Sequence, residues 1–255
     1  SKINFDDKII QNLDNLSLET SKVTLDLIFL MIDKNTSDFL KKLFKKKQIY
    51  IKKIFCTSYI KSLGIINKLG ISGINSFIDI GLKKSSLTIF KDNNLLYLNN
   101  LHIGGDHITK DIYKVLKIDY QEAETKKINF SKKNDFEENP HNNELLNNII
   151  NSRLEEIVEL LFLNCPLIKT KTLDNAIKLF FTGNGSKVLN ENLLSFGSEF
   201  NFINDMTIIK ESNKDVCDSA LKFNTEDRIL ESQNQGLSIE SKGLFEKFFE
   251  YFSKK

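Results

Sequence analysis

Cysteine and histidine, the side chains that most often hold transition metals, are scarce in this sequence. The 255 residues include three of each. Cys56, Cys165 and Cys217 are far apart, with no CxxC pair and no metal-ligand spacing, which favours buried thiols in a reducing compartment. His107 has no cysteine or second histidine at ligand spacing, so we expect it to have a structural role.

Long hydrophobic runs and a large net charge are also missing. The apolar stretch Leu25–Ile32 is far shorter than the roughly 20 residues that span a bilayer, and we expect no signal peptide. A formal net charge of +2 gives no case for a nucleic-acid partner. With 40% hydrophobic and 27% charged residues, the chain is typical of a globular protein of one large domain or two smaller ones.

Residues 1 to about 50 have the pattern of a small α/β module. Ser21–Ile32 predicts a buried strand, and Thr36–Lys47 predicts a helix with an outer face rich in lysine. That face has two interpretations, a solvated surface or a lipid- or nucleic-acid-facing one, and the regular apolar stripe beneath it favours the first. Ile49–Phe55 predicts another strand, and Tyr59–Leu69 another helix that ends at Gly70.

Three short strands and a glycine turn form the sharpest pattern of the chain. Strands are predicted at Ser76–Ile80, Ser86–Phe90 and Asn94–Leu98, followed by Gly104-Gly105 and a helix. Two glycines before a helix let backbone N–H groups approach a phosphate, with Asp106 suited to the cap position. Taken alone, the same turn is better explained as a tight strand-to-helix connection.

The remainder of the body is predicted to be helical and then mixed. Glu144–Leu163 predicts a long amphipathic helix, and Lys132–Asn143, which contains Pro140, predicts a loop. Lys178–Phe181 predicts a strand that ends in a second glycine turn, a place where nucleotides bind in open α/β sheets. Leu193–Phe202 and Met206–Lys210 predict a helix followed by a strand, and Asp215–Phe223 predicts the last helix of the body.

The last fourteen residues form an amphipathic pattern after a polar tether. On a helix, one apolar stripe gathers Leu244, Phe245, Phe248, Phe249 and Phe252, with Lys247 among the charged residues mostly outside it. Such a helix can lie in the headgroup plane of an anionic membrane. The alternative is a terminal helix folded back on the body.

The string Gly104-Gly105-Asp106-His107-Ile108-Thr109-Lys110-Asp111-Ile112 resembles the GGDHITxDI motif of one family, the bacterial cell-division protein FtsA, an actin-like membrane tether. Four further elements are similar and occur in family order over roughly residues 20 to 255. They are Glu122-Ala123-Glu124 with Lys127 (EAExxK), the helix with Arg153 and Glu156, Thr182–Ser186 (the TGGGS adenosine loop), and the tail Gly243–Lys255.

The resemblance implies an α/β fold, an actin-like ATPase (ribonuclease H-like) half with an N-terminal SHS2-like α/β subdomain. The implied domains are 1–52 (subdomain 1C, SHS2-like), 53–73 (connecting helix like that of 1A), 74–116 with 177–230 (2A), 117–176 (helical 2B), 231–242 (flexible linker) and 243–255 (membrane-targeting helix). The implied nucleotide site is Asp79, Gly81, Gly104, Gly105, Glu124, Lys127, Gly183, Asn184, Gly185 and Ser186. The implied FtsZ-peptide site is Arg153 and Glu156, and the implied membrane contact is Leu244, Phe245, Lys247, Phe248, Phe249 and Phe252.

Two differences between this sequence and the family pattern bear on ATP and magnesium, the ligands that the resemblance implies. Where the family has the DIGGGTTD phosphate cradle, this chain reads Asp79-Ile80-Gly81-Leu82-Lys83-Lys84-Ser85-Ser86, so side chains replace glycines and Ser86 replaces a carboxylate expected near the metal. The chain also begins at or within 1C, so the subdomain with the first phosphate loop either was cut off or has been lost. We therefore expect millimolar or no measurable ATP affinity, and no hydrolysis.

The implied function is a cell-division adaptor that tethers FtsZ filaments to the inner face of the cytoplasmic membrane at the septum. The implied partners are the C-terminal peptide of FtsZ, an anionic membrane surface, other copies of the chain in actin-like filaments, and later division proteins on 1C. One alternative is a working actin-like ATPase of a chaperone-like or pilus-assembly type. Another is a relative that binds partners without nucleotide or membrane. For Arg153 and Glu156 the alternative is a plain ion pair within one helix.

Overall fold

The computed structural model describes residues 2–5, 8–10, 23–26, 28–91, 93–132, 140–163, 165–169, 177–189, 203–210, 212 and 214–223. The predicted linker at 231–242 and the predicted membrane helix at 243–255 lie outside these ranges. The predicted helix at 193–202 lies outside them as well.

The N-terminal module contains a small antiparallel sheet and a helix. Strands β1 (Lys2–Phe5), β2 (Lys8–Ile10) and β3 (Val23–Asp26) pair in the order β2-β1-β3, and helix α1 spans Lys34–Lys45. Strand β3 is shorter than the strand predicted at 21–32, because residues 28–33 have no regular structure and are exposed.

The strand predicted at 49–55 is wrong. Residues 49–56 have no regular structure, and Ile49 and Tyr50 are 52% and 75% exposed. A strand needs a neighbour for its backbone N–H and C=O groups, and none of the strands described for this chain pairs with the segment. An apolar run alone does not supply that neighbour.

A five-stranded mixed sheet forms the body of the protein. Helix α2 (Thr57–Leu69) ends at Gly70 in the left-handed conformation, as predicted. Strands β4 (Ile74–Ile80), β5 (Ser85–Lys91) and β6 (Asn94–Leu101) form the predicted antiparallel meander, and β7 (Ile177–Thr182) and β8 (Ile203–Ile208) follow in parallel. The strand order is β6-β5-β4-β7-β8.

Within the described ranges, five α-helices and one 3-10 turn complete the body. They are α3 (Gly105–Leu116), α4 (Tyr120–Lys132), α5 (Pro140–Phe162), α6 (Pro166–Lys169), the turn Asn184–Val188 and α7 (214–223). Pro140, which the sequence analysis placed in a loop, is the first residue of α5. Proline is favoured there because the first helical N–H has no partner within the helix.

Helices cover both faces of the sheet, as the alternating side chains of β4 require. On one face Ile78 and Ile80 belong to a core shared with α3 and α5. On the other face Phe77 belongs to a second cluster with residues of α2, and Phe223 of α7 packs against that cluster. Strands β4 and β7 are parallel, with Asp79 opposite Thr182. Their carboxyl ends therefore meet at one edge of the sheet, and a turn follows each of them.

Candidate functional site

The second glycine turn packs directly on the end of β4. Gly183 has a φ of +86°, and a Cβ atom there would lie 2.4 Å from Asp79 Oδ1 and 2.5 Å from the carbonyl oxygen of Ile80. A Cβ atom at Gly185 would lie 2.8 Å from the same carbonyl oxygen. Only residues without a side chain fit so close to another backbone. The predicted residues Asp79, Gly183 and Gly185 are thus brought together.

The first glycine turn packs on the residues that follow β4. A Cβ atom at Gly104 would lie 2.6 Å from the carbonyl oxygen of Gly81. The N–H of Gly105 donates to that oxygen at 2.9 Å, and the N–H of Asp106 donates to the carbonyl of Leu82 at 2.8 Å. The N–H groups that the sequence analysis assigned to a phosphate are therefore engaged by the turn after β4.

The cap of α3 differs from the prediction. Gly104 is the cap residue, and Asp106 lies in the first turn. The Asp106 carboxylate accepts hydrogen bonds from the Tyr120 hydroxyl and from Lys110, whose Nζ is 2.7 Å from Oδ2. These two partners hold the pKa of Asp106 below its usual value, and the same contact with Asp106 raises the pKa of Tyr120 to about 12. His107 Nδ1 accepts from the Gly104 N–H at 3.2 Å, in line with a structural role.

A buried ammonium group joins α4 to α3. Lys127 is 6% exposed, and its Nζ donates to Glu124 Oε2 and to Thr109 Oγ1, both at 2.7 Å, and to the carbonyl oxygen of Gly105 at 3.0 Å. The Thr109 hydroxyl in turn donates to Glu124. Glu124 and Lys127, which the resemblance places on the adenosine side, therefore lie beside the first glycine turn and bind each other.

The rest of the second turn is closed by a local hydrogen bond. The buried Ser186 hydroxyl donates to the carbonyl oxygen of Gly183 at 2.7 Å, and Asn184 is exposed. Every residue of the predicted nucleotide site thus lies on one of four neighbouring segments: the end of β4 with the residue that follows it, either of the two glycine turns, or the face of α4 that meets α3.

Lys61 is a charged residue of this edge that the sequence analysis missed. Its Nζ lies 2.8 Å from Asp79 Oδ1, and the Lys61 side chain is only 9% exposed. Lys61 lies on α2, 18 positions before Asp79, and belongs to none of the motifs that the resemblance rests on. The helical period alone does not show that this lysine faces the sheet edge.

The residues of this edge do not fit a magnesium ion with its phosphates. The carboxylate of Asp79 is bound to an ammonium group, and the N–H groups at the start of α3 are bound to carbonyl oxygens. Ser86, directly opposite Asp79 in the sheet, supplies a hydroxyl rather than the oxygen-rich set that Mg²⁺ prefers. Among the described residues, no group of three or more histidine, cysteine or acidic side chains is arranged to hold a metal ion.

Arg153 belongs to a second candidate site, which is a groove between α3 and α5. The guanidinium binds Asp111 with two hydrogen bonds, Nε to Oδ2 at 2.6 Å and Nη2 to Oδ1 at 3.0 Å, and it also binds Glu156. These carboxylates raise the pKa of Arg153. The predicted pair within the helix is present, but the bond to Asp111 is new. The groove has a volume of about 380 Å³ and includes Val115 and Ile149.

None of the helices among the described residues combines the length and the apolar character needed to cross a bilayer. The predicted membrane residues Leu244, Phe245, Lys247, Phe248, Phe249 and Phe252 lie outside the described residues. The amphipathic tail therefore stays a prediction from the sequence.

Known proteins resemble this chain both in sequence and in structure. Residues 76–195 match the family model described as "Cell division protein FtsA". MreB5 of Spiroplasma citri is similar in its AMPPNP-bound structure (TM-score 0.59, 18% identity, 81% of this chain and 68% of that chain). Its ADP-bound structure is also similar (TM-score 0.56, 17% identity, 78% and 68%).

A further similar structure is the PilM-PilN type IV pilus biogenesis complex, with a TM-score of 0.49, 16% identity and 68% of this chain covered. The match covers 46% of the PilM-PilN chain, so this chain corresponds to about half of its length. A comparison with curated protein sequences finds no match.

The mixed sheet with its two strand-end turns and the similarity to MreB5 define a protein of the actin-like fold. Within that fold, the match over residues 76–195 covers both glycine turns and the Arg153 groove. Residues 76–195 are therefore similar to FtsA, and the sequence departs from the pattern of that family in the segment after β4.

Proposed function

We propose that this chain is a cell-division adaptor that connects FtsZ filaments to the inner face of the cytoplasmic membrane at the septum. The similarity to FtsA over residues 76–195 carries the proposal, because that region includes the helix implied to bind the FtsZ C-terminal peptide. In this proposal the tail at 243–255 lies on anionic lipid as a peripheral anchor. Copies of the chain assemble into actin-like filaments, and later division proteins bind the 1C module.

The groove between α3 and α5 has the chemistry of a peptide site. Val115 is 51% exposed and offers apolar surface beside the Arg153 guanidinium. Of the two carboxylates on Arg153, Glu156 is the more exposed, with 44% of its side chain accessible against 25% for Asp111. An acidic group of a peptide would therefore replace Glu156 on the guanidinium, while Asp111 keeps the arginine in place.

Peptide binding is tested with a fluorescent peptide of the FtsZ C-terminus and anisotropy. Val115→Asp places a charge on the apolar side of the groove and is expected to weaken binding by about tenfold or more. The matched control is Leu163→Asp, since Leu163 is 65% exposed and lies outside the groove residues. Equal affinity of the two variants, or no binding by the parent chain, contradicts the peptide site.

Membrane attachment is tested by sedimentation with vesicles of phosphatidylglycerol and phosphatidylcholine. Deletion of residues 243–255 is expected to abolish binding, and Phe248→Glu with Phe249→Glu is expected to do the same, because charges on the stripe cannot enter the apolar layer. A pair of substitutions on the polar side, Glu246→Gln with Glu250→Gln, is the control and should preserve binding. Unchanged sedimentation after the deletion contradicts the anchor.

We further propose that the chain alone is not an ATPase. The engaged N–H groups of Gly105 and Asp106 and the lysine on Asp79 support this view. Phosphate release from Mg-ATP should equal that of buffer, and calorimetry should give millimolar or no affinity. Turnover that Asp79→Asn abolishes would instead support the alternative of a working actin-like ATPase.

A further inference from the structure

The ion pair between Lys61 and Asp79 connects α2 to the edge of the sheet where the two glycine turns meet. The Nζ–Oδ1 distance is 2.8 Å, and the two side chains are 9% and 21% exposed. The pair is thus far more enclosed than Lys68–Asp215, which involves the last turn of the same helix at 3.5 Å with side chains 71% and 44% exposed.

The Asp79 oxygen that accepts this bond faces the second turn. Oδ1 is the atom that a Cβ at Gly183 would approach to 2.4 Å, so the ammonium group and the Gly183 turn lie on the same carboxylate oxygen. Ser86 is the partner of Asp79 across the β4–β5 ladder, and its hydroxyl carries no charge. A cation that neutralises Asp79 therefore has no second carboxylate beside it in the ladder.

A divalent metal and a lysine ammonium group compete for the same carboxylate. Mg²⁺ requires oxygen ligands at about 2.1 Å in octahedral geometry, and an ammonium group 2.8 Å from Oδ1 occupies that space with positive charge. Displacing it would leave the charge of a side chain that is 9% exposed without this partner, which is costly.

We propose that the Lys61 ammonium group takes the place of a divalent cation at Asp79 and holds this edge of the sheet in one arrangement without metal or nucleotide. The lysine performs two tasks: it neutralises Asp79, and it fixes α2 against the second glycine turn. Any partner bound elsewhere on the chain then meets the same arrangement whether ATP is present or absent. The inference is independent of the adaptor function, because its test involves neither lipid nor peptide.

Thermal unfolding of the full chain tests the pair. Lys61→Met and Asp79→Asn should each lower the Tm, and the double variant should lower it no further than the larger single effect, since both remove the same interaction. Lys68→Met is the matched control on the same helix and should leave the Tm nearly unchanged. Additive losses from Lys61→Met and Asp79→Asn would overturn the proposal.

Metal binding is tested on the parent chain, so the result does not depend on the folding of any variant. The Tm should be the same with and without millimolar MnCl₂, and with and without MgCl₂ plus ATP. The amide NMR signals of Ile80 and Gly81 should not broaden with Mn²⁺ and ATP. Broadening of these two signals, or a rise in the Tm of the parent chain that depends on Mg-ATP, would overturn the proposal.

Discussion

Gly64 of α2 and Ser219 of α7 touch at the point where the two helices cross. A Cβ atom at Gly64 would lie 2.0 Å from Ser219 Oγ and 2.8 Å from Ser219 Cβ. The aromatic rings of Tyr59 and Phe223 on the same two helices pack edge to face, with centroids 5.9 Å apart. Glycine at position 64 therefore sets how closely α7 approaches α2.

Gly64→Ala is expected to lower the free energy of unfolding by about 1–3 kcal/mol through overpacking, even though alanine favours a helix by about 1 kcal/mol over glycine. Urea unfolding measures the change. Adding Ser219→Gly to Gly64→Ala should restore part of the loss, and Ser219→Gly alone is the control. A stability equal to or above that of the parent would show that the helices can separate without cost.

Lys127→Met is expected to lower the free energy of unfolding by about 1–3 kcal/mol, because Thr109, Glu124 and the Gly105 carbonyl lose a shared donor. The matched control is Lys126→Met. Lys126 pairs with Glu122 at 3.8 Å, and the side chain of Glu122 is 53% exposed, so a change of about 0.5 kcal/mol or less is expected. Equal effects of the two substitutions would contradict a structural role for the buried ammonium group.

The hydrogen bond from Tyr120 to Asp106 predicts a dependence of stability on alkaline pH. The contact raises the pKa of Tyr120 from 10.0 to about 12. Because the pKa is higher in the folded chain, this stabilisation is complete below pH 10.0 and is lost as the pH rises through about 12. Urea midpoints of the parent chain and Tyr120→Phe should therefore differ at neutral pH and converge above that window.

At acid pH the stability contributed by the Tyr120–Asp106 contact changes in the opposite direction, because it falls as the pH falls. The pKa of Asp106 is lowered from 3.8, so its contribution is present above that value and is lost as the pH falls through the lower, folded-state pKa. Tyr113→Phe, on the neighbouring ring of α3, is the control for loss of a hydroxyl outside this bond. A difference between the parent and Tyr120→Phe that stays constant from acid to alkaline pH would rule out the coupling.

Arg153→Lys should destabilise the packing of α5 on α3 by about 1–2 kcal/mol, because lysine cannot reproduce the two hydrogen bonds to Asp111. The measurement is a double-mutant cycle in urea with Asp111→Asn, and coupling between the two sites is expected. Glu156→Gln is the control, since its carboxylate is the more exposed partner of Arg153. Independent effects at positions 111 and 153 would contradict the forked bond.

The body of the fold was predictable where alternating residues and turn signals coincide. The meander β4–β6, the helix that ends at Gly70 and the strand before the second glycine turn all appear as expected. Residues 28–32 and 49–55 were misjudged because apolar composition was taken as burial, whereas Met31 is 91% exposed. A strand depends on a partner far along the chain, and a local pattern does not contain that information.

The proximity of the motif residues was predictable from the sequence, but the hydrogen bonds and ion pairs that they form were not. The motif residues from Asp79 to Ser186 come together because β4 and β7 are parallel neighbours. The ion pairs Lys61–Asp79 and Arg153–Asp111 were not predicted, because each of them joins side chains of two different elements. Asp106 was assigned to the cap of α3 from its residue type alone, but Tyr120 and Lys110 bind its carboxylate.

The hydrogen bonds of the Gly105 and Asp106 N–H groups to the turn after β4 impose a free-energy cost on any anion that would bind at the start of α3. Freeing both N–H groups requires that two hydrogen bonds break, which costs about 2 kcal/mol at roughly 1 kcal/mol each. An anion would therefore bind about thirtyfold more weakly than at an otherwise equal helix start with vacant donors. The carbonyl groups of Gly81 and Leu82 thus compete with an anion for these two N–H donors, and they do so from within the same chain.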